Sequence, residues 1–385
     1  MSVQVSYQKQ TLLGIMLLLV LLLIIEGFAQ LYDNFFGTDC RFTNSDAVKH
    51  LDIDIRKQIC NDHNSVKYHN DELHTQIVPN QHFSTININE HGFRGPEFTK
   101  IKPENTFRIF VLGGSTAFSS GVTSDESTFS GFLQKKFESE NLPINVEVIN
   151  AGIPAVTSFT EHWLVKNKLI HFEPDLLIIY DGWNDVGKRL DNYGIPHSEH
   201  LKELQNKENS SFKNEQENII YEIIQDLYRS TKTRNIINLV LPVYLYNLGI
   251  YDIKSHDNTP VQTKVDVWKE RWKEICELGR TNGFDVIVTL QPIAGSGNST
   301  LTGEIAKMRY TLNNNEWVLE RLEFYADSLS ELDDYCAKTK DLRNVFDDIN
   351  GPIFLDAGHV NDYGNEIVAQ ELFELTFPIV KERYS

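Results

Sequence analysis

Basic residues and cysteine are scarce in this chain of 385 residues. Lysine and arginine number 36 against 54 aspartates and glutamates, which gives a net charge of −18. A protein that binds a phosphate backbone needs a basic face, so this balance argues against nucleic acid as a partner. The four cysteines include no C-x-x-C pair. Their spacing therefore argues against a zinc site.

The cysteines at positions 40, 60, 276 and 336 allow two disulfides if the chain is exported. Pairing Cys40 with Cys60, and Cys276 with Cys336, is the most local of the three connectivities. Four reduced, buried thiols are the alternative. The sequence alone leaves both interpretations open.

One segment near the N-terminus is apolar enough to cross a membrane. Residues 11–25 carry no charge, and the apolar character continues past Glu26 to Leu31. A spanning helix needs about 20 residues, so we interpret residues 11–31 as an uncleaved anchor. A cleaved signal peptide is the alternative, because Gly27 and Ala29 are small residues at the spacing that cleavage prefers. Either interpretation places the rest of the chain outside the cytoplasm.

Apolar stretches alternate with helical patterns in the second part of the chain. Strands are predicted at residues 107–112, 146–149, 175–180, 284–290 and 344–347, with helices between them and a last helix around 367–375. Stretches that are apolar without period-two alternation are typical of strands covered on both faces. The pattern therefore predicts an α/β domain with a parallel sheet between helices.

Four short motifs follow predicted strands or precede the last helix. They are Gly113-Gly114-Ser115-Thr116, Asn150-Ala151-Gly152, Gly182-Trp183-Asn184-Asp185 and Asp356-Ala357-Gly358-His359. Ligand sites of open parallel sheets form at the carboxyl ends of the strands, so these motifs are predicted to meet at one edge of the sheet. Together they contain a nucleophile, a base, a carboxylate and donors for an oxyanion.

Ser115 is the candidate nucleophile, although a serine after two glycines also suits a helix cap. A helix predicted after it would direct the positive end of its dipole toward developing negative charge. The spacing of Asp356 and His359 lets one loop hold a carboxylate against one imidazole nitrogen while the other faces Ser115. His91 is the rival histidine.

The amides of Ser115 and Gly152 and the side chain of Asn184 are candidate oxyanion donors, although glycine and asparagine are also common turn residues. Trp183 is a candidate for the substrate pocket. Arg94 could bind a substrate anion, but a structural anchor for its loop is the favoured interpretation.

These blocks resemble those of the SGNH hydrolase superfamily, also called GDSL esterases, over about residues 105–380. The loop at residues 92–95, with the strand that leads to Ser115, resembles membrane-tethered members. The resemblance implies a flavodoxin-like three-layer α/β/α sandwich with a parallel sheet. With the apolar segment and the polar residues after it, the expected fold is this sandwich plus an N-terminal transmembrane helix and extension. It implies no metal and no cofactor. Gly114 departs from the family's pattern, in which aspartate precedes the serine.

The resemblance also implies that Ser115 is the nucleophile, His359 the base and Asp356 its partner, with Gly152 and Asn184 as oxyanion donors. An acyl ester would be hydrolysed, and an extracytoplasmic location suggests a surface glycan or lipid as its carrier. A glycan hydroxyl as acceptor would make the same site an acyltransferase. A non-catalytic surface binding protein that retains the fold is the alternative.

The expected organisation is a short tail at residues 1–10, the anchor or signal segment at 11–31, an extension at 32–104 and a hydrolase domain at 105–385. An insertion at about residues 187–262 holds an amphipathic pattern at 220–227 and an apolar stretch at 236–246. Proline and asparagine inside that stretch argue against a second span. We interpret the insertion as a lid or pocket wall, with an extra core helix as the alternative.

Overall fold

The computed structural model describes residues 7–36, 42, 45–70, 74–187, 231–250, 259–312 and 314–384. These residues fall into two compact units. The smaller unit comprises residues 1–40 and 203–253, and the larger comprises 41–202 and 254–385. The amphipathic pattern predicted at 220–227 lies outside the described residues.

Strands and helices alternate through most of the larger unit. The strands are β1 Tyr68–Asn70, β2 Thr75–Ile77, β3 Gln81–His82, β4 Asn87–Ile88, β5 Thr106–Gly113, β6 Asn145–Asn150, β7 Leu176–Asp181, β8 Asp285–Leu290 and β9 Lys338–Asp341. The α-helices of both units are α1 Tyr7–Phe36, α2 Ile53–Ser65, α3 Phe129–Ser139, α4 Ser158–Asn167, α5 Trp183–Gly187, α6 Lys232–Asn247, α7 Val261–Asn282, α8 Glu304–Leu312, α9 Asn315–Leu329 and α10 Asp362–Arg383.

The central sheet has five strands in the order β6-β5-β7-β8-β9, and all neighbouring strands are parallel. In chain order this is 2-1-3-4-5, the arrangement of flavodoxin-like folds. Every residue of β5 is buried, as expected for a strand covered on both faces. The predicted α/β/α sandwich with a parallel sheet is thus confirmed.

Side chains of β5 alternate between two hydrophobic clusters. Phe107, Ile109 and Val111 belong to the cluster that includes apolar residues of α3 and α10. Phe110 and Leu112 belong to the cluster with α4, α7 and α9. The alternation follows from the period of two in a strand, and it produces the three layers.

The fifth strand of the sheet is not where the sequence predicted it. Residues 344–347 were expected to form it, but Lys338–Asp341 pairs with β8 instead. β9 is an edge strand with polar, partly exposed side chains, so it carries no apolar signal. Phe346 is buried against Phe354 from within a turn, which explains why residues 344–347 look apolar without forming a strand.

The smaller unit contains α1, an apolar helix of 30 residues. Its segment Tyr7–Tyr32 has the length and hydropathy of a membrane span, and a signal sequence would satisfy the same criteria. The Glu26 carboxylate accepts hydrogen bonds from the backbone N–H of Lys232 at 2.9 Å and of Thr233 at 3.1 Å. Glu26 therefore caps the N-terminus of α6, which forms over the predicted apolar stretch.

Cys276 in α7 forms a disulfide with Cys336, the residue that precedes the approach to β9. Cys60 is also disulfide-bonded. The interpretation of reduced, buried thiols is thus wrong for these three residues. Cys40 lies outside the described residues, so the other predicted pair stays a prediction.

We expect the Cys276→Ala/Cys336→Ala double variant to lose about 4 kcal/mol of unfolding free energy, because the bond closes a loop of 60 residues in the unfolded chain. Denaturant unfolding measures this loss. Reductant should lower the midpoint of the wild type by more than that of the double variant, which has already lost this bond. Equal midpoints for the oxidised wild type and the double variant would contradict the prediction.

Candidate active site

Ser115 lies two residues beyond the end of β5, after a turn that requires glycine. Gly113 has a φ of 147°, and a Cβ at this position would lie 2.2 Å from the Tyr180 carbonyl oxygen. No larger side chain fits between β5 and β7 here. The turn brings the serine hydroxyl to the carboxyl edge of the sheet, where the motifs were predicted to meet.

A helix follows Ser115 along the chain, as predicted, but it does not begin at the serine, as the expected effect of its dipole requires. Residues 114–121 form consecutive turns, and the next α-helix begins at Phe129. Ser119 has a φ of 57° and Gly121 a φ of 97°, and such left-handed residues interrupt a right-handed helix. The macrodipole of α3 therefore does not begin at the serine.

Ser115, His359 and Asp356 form a continuous chain of hydrogen bonds. The Nε2 atom of His359 lies 2.8 Å from the Ser115 hydroxyl. Its Nδ1 atom lies 2.7 Å and 2.9 Å from the two carboxylate oxygens of Asp356. The structure thus brings together the three residues that the sequence proposed as nucleophile, base and carboxylate, in the geometry of a serine hydrolase triad.

The Asp356 carboxylate is fixed by its own loop. Its Oδ1 accepts the backbone N–H of Gly358 at 3.0 Å and that of His359 at 2.9 Å. These two backbone donors fix the carboxylate independently of the imidazole. Because a carboxylate only accepts hydrogen bonds, the Nδ1 atom of His359 carries a proton and donates it to Asp356. The Nε2 lone pair is then directed at the Ser115 hydroxyl, as a general base requires.

Asn184 lies in contact with the turn that carries Ser115. Its Nδ2 donates to the Val156 carbonyl at 2.6 Å, which leaves the second N–H of the amide for another acceptor. A Cβ on Gly114 would lie only 2.3 Å from this Nδ2. Glycine therefore stands at 114 because the asparagine amide occupies the place of a side chain.

We expect Gly114→Ala to lower kcat by about 100- to 1000-fold, the usual cost of losing one oxyanion donor. The added methyl group must displace the Asn184 amide. Steady-state ester hydrolysis measures the effect. Gly187→Ala is the matched control, because a Cβ there meets nothing within 4 Å. Equal kcat values for the two variants would contradict this role of the asparagine amide.

Gly152 packs against the main chain of the nucleophile's turn. A Cβ at this position would lie 2.3 Å from the Phe118 nitrogen, so only glycine allows the contact. Its N–H, however, donates to the Oδ1 of Asn150 at 3.0 Å. Among the described residues, the Ser115 N–H has no such hydrogen bond. Ser115 is thus the freer of the two backbone donors that the sequence proposed.

Two buried aspartates lie close to Asn184 in the sequence, Asp181 at the end of β7 and Asp185 in α5. Asp185 accepts the backbone N–H of Ser158 at 2.9 Å and its hydroxyl at 2.5 Å, which ties the turn to α4. Asp181 accepts the indole N–H of Trp268 at 2.9 Å. Burial, together with the charge of Asp185, raises the pKa of Asp181 well above its ordinary value. Asp181 and Asp185 thus attach the segment that carries Asn184 to α7 and α4.

The Trp183 ring lies beside the loop that carries the histidine. A Cβ at Gly358 would lie 3.5 Å from this ring and 3.7 Å from the Thr116 methyl group. The Thr116 hydroxyl in turn donates a hydrogen bond to the side-chain oxygen of Gln291 at 3.0 Å. The predicted pocket residue is therefore next to both the nucleophile's turn and the histidine loop.

Arg94 and His91 have structural partners. The buried Arg94 guanidinium donates to Asp125 at 2.7 Å and, among others, to the carbonyls of Phe118 and Ser119. It thus supports the turn that follows the nucleophile, and the anchor interpretation is confirmed. The Nε2 atom of His91 lies 3.0 Å from the Phe98 carbonyl oxygen, with its ring among aromatic rings.

Replacing Arg94 with methionine should lower the free energy of unfolding by about 3–5 kcal/mol, because it leaves the largely buried Asp125 carboxylate without its partner. Chemical denaturation measures the change. Arg383→Met removes a guanidinium that is 42% exposed and should cost about 1 kcal/mol or less. If Arg94→Met is as stable as Arg383→Met but has a raised KM, the arginine binds substrate and the anchor role is wrong.

The extension contributes a ring to the site that sequence reasoning missed. Phe42 is buried and packs edge-on against the His359 imidazole, with the ring centroids 5.4 Å apart. The Ser45 hydroxyl donates to the Phe354 carbonyl at 2.5 Å, and Asn361 donates to the Ala47 carbonyl at 3.0 Å. Both ends of the histidine loop are thus attached to residues 42–48.

A scan against protein-family models and a search of curated proteins find no match. Among solved structures, a putative lipolytic protein of the G-D-S-L family from Desulfitobacterium hafniense is similar at 13% identity, over 69% of this chain and 98% of that chain, with a TM-score of 0.37. An acetylxylan esterase from Geobacillus stearothermophilus is similar at 13% identity, over 70% and 93%, with a TM-score of 0.34. A putative acylhydrolase from Bacteroides fragilis is similar at 12% identity, over 70% and 87%, with a TM-score of 0.36. The site geometry rests on this chain's own contacts and does not depend on these likenesses.

Proposed function

We propose that this protein is a serine ester hydrolase that works through a covalent acyl-enzyme. The observation that carries the proposal is the hydrogen-bonded chain from the Ser115 hydroxyl through His359 to Asp356. A serine hydroxyl is a weak nucleophile until a neighbouring base takes its proton. Here the base is in contact with the hydroxyl and is itself oriented by a carboxylate.

The reaction begins when the Ser115 oxygen attacks the carbonyl carbon of the ester. His359 takes the hydroxyl proton on Nε2 and then gives it to the departing alcohol, while Asp356 stabilises the imidazolium. Water next attacks the acyl-enzyme, with His359 again acting as the base, and the acid is released. A second alcohol in place of water would give acyl transfer from the same intermediate.

The tetrahedral intermediate carries an oxyanion that needs preorganised donors. The Ser115 N–H and the second N–H of the Asn184 amide are the donors best suited to this role. The Gly152 N–H could join them only by sharing or exchanging its bond to Asn150. Trp183 would line the space beside the acyl group.

Anchorage by α1 is the second part of the proposal. The helix is apolar and long enough to span a membrane. Cleavage after Ala29 would remove Glu26, whose carboxylate caps α6. This contact favours a retained anchor over a cleaved signal peptide. We propose a single-pass protein with its hydrolase domain outside the cytoplasm, acting on an acylated surface glycan or lipid.

A fluorophosphonate probe and p-nitrophenyl acetate test the proposed activity. The folded full-length protein should react with the probe, and digestion followed by mass spectrometry should locate the adduct on Ser115. Prior heat denaturation should abolish labelling, because only the assembled triad activates the hydroxyl. Folded protein that neither reacts with the probe nor hydrolyses the ester would instead be a binding protein that retains the fold.

A further inference from the structure

Helix α6 presents a stripe of apolar side chains to its surroundings. Ile237, Leu241 and Tyr244 in α6, and Leu248 directly after its last residue, follow one another at intervals of four, three and four residues, and their exposed fractions are 44%, 47%, 60% and 54%. With 3.6 residues per turn, these positions lie on one side of the helix. A contiguous exposed apolar surface of this kind marks a membrane or protein contact.

A different side of α6 packs against the end of α1. Val243 is buried, and by helical geometry it points about 130° away from the centre of the stripe. On α1, Ala29 is buried, whereas the residues of the apolar stretch before Glu26 are exposed. Since Glu26 caps the first turn of α6, the two helices meet within the last two turns of the candidate span Tyr7–Tyr32. The apolar stripe is therefore directed away from α1, toward the medium that surrounds the candidate span.

We propose that α6 is an interfacial membrane helix, which lies at the outer end of the span with its apolar stripe in the lipid. The proposal rests on the anchorage of α1 proposed above. The partner is a bilayer because α6 is packed on the segment that would enter one, and because its polar start, with Lys232 and Arg234, and its Tyr244 are typical of helices at the headgroup level.

A second transmembrane span does not fit α6. The helix has 16 residues, whereas a span needs about 20. Asn238 is exposed on a neighbouring side of the helix, and an asparagine in the hydrocarbon core would be costly. At the interface, by contrast, an asparagine can face the headgroups while the stripe faces the acyl chains.

Fluorescence quenching in vesicles tests the proposal on the full-length chain. Single-cysteine variants Leu241→Cys, Asn238→Cys and Leu17→Cys are labelled with an environment-sensitive dye, since the described residues contain no free cysteine. The proteins are reconstituted in phosphatidylcholine vesicles with or without bromine on the acyl chains. The dye at 241 should emit at shorter wavelength and lose intensity with bromine near the carbonyl end of the chain. The dye at 238 should emit as in water and lose little.

The label at Leu17 separates the proposal from the anchorage on which it rests. Strong quenching at 17 without quenching at 241 means that the span is inserted but α6 is not on the lipid, which overturns the proposal. A blue shift at 241 without quenching means that a protein surface covers the stripe, which also overturns it. If the dye at 241 is quenched most strongly by bromine in the middle of the acyl chain, the helix lies in the hydrocarbon core, and the interfacial position is wrong. No quenching at 17 shows that the anchorage fails and removes the basis of the proposal.

Discussion

Ser115→Ala should lower kcat for ester hydrolysis by about 10⁶-fold and abolish labelling by a fluorophosphonate. Without the hydroxyl no acyl-enzyme forms, and the histidine has no proton to accept from the protein. The activity that remains comes from the oxyanion donors and from substrate binding. Because the hydroxyl is hydrogen-bonded to the imidazole and to no other group among the described residues, the variant should fold like the wild type.

Ser120→Ala is the matched control, because it removes a buried hydroxyl from the same turn. The Ser120 hydroxyl has no hydrogen-bond partner within the described structure. This variant should label and turn over like the wild type. Labelling of Ser115→Ala at the wild-type rate would mean that the probe reacts elsewhere and would end the case for this nucleophile.

The proposed triad could be predicted from the sequence because its members lie at the edge where an open parallel sheet brings the ends of its strands together. Ser115 and Asn184 follow β5 and β7, which are adjacent in the sheet, and such positions meet at one edge. The three-residue spacing of Asp356 and His359 confines both to one loop. Local pattern and sheet topology together thus determine which side chains converge.

The support for the histidine loop could not be read from the sequence. Phe42 and Ser45 come from the extension, and Ser45 lies 309 residues before its partner Phe354. Nothing in the local pattern around a buried phenylalanine distinguishes a ring on a catalytic imidazole from an ordinary core ring. Contacts between residues so far apart in the sequence depend on how the extension packs against the domain, and the hydrophobic periodicity of a segment carries no information about that packing.

A run of apolar residues does not always form a strand, because a buried residue can also lie in a turn. Val345 and Phe346 resemble a strand but lie in turns, while the polar Lys338–Asp341 pairs with β8 as the edge strand. The helix dipole expected at Ser115 fails for a related reason, because left-handed residues occupy the turn and the next helix begins only at Phe129. Hydrophobic periodicity reports burial, whereas the backbone conformation of short segments is decided by tertiary packing.

Asp356→Asn should lower kcat by about 10⁴-fold, although the substitution changes almost no volume. Two backbone N–H groups donate to Oδ1, so the amide oxygen of asparagine will take that position. The NH₂ group then replaces Oδ2, 2.9 Å from Nδ1 of His359, while the amide oxygen keeps the place of Oδ1, 2.7 Å from Nδ1. The carboxylate charge that held the proton on Nδ1 is lost and the NH₂ group repels an Nδ1–H, so we expect the ring proton to move to Nε2. The imidazole would then present a proton to Ser115 instead of a lone pair.

The variant should therefore keep its fold and its substrate affinity while losing the chemical step. Unchanged KM and unfolding midpoint with the lower kcat would identify a tautomer effect, because a collapsed loop would change all three. His359→Ala should cost about 10⁶-fold, which ranks the base above the residue that orients it. If Asp356→Asn instead retains more than a tenth of the wild-type kcat, the carboxylate only caps its own loop. The site would then work as a dyad of Ser115 and His359.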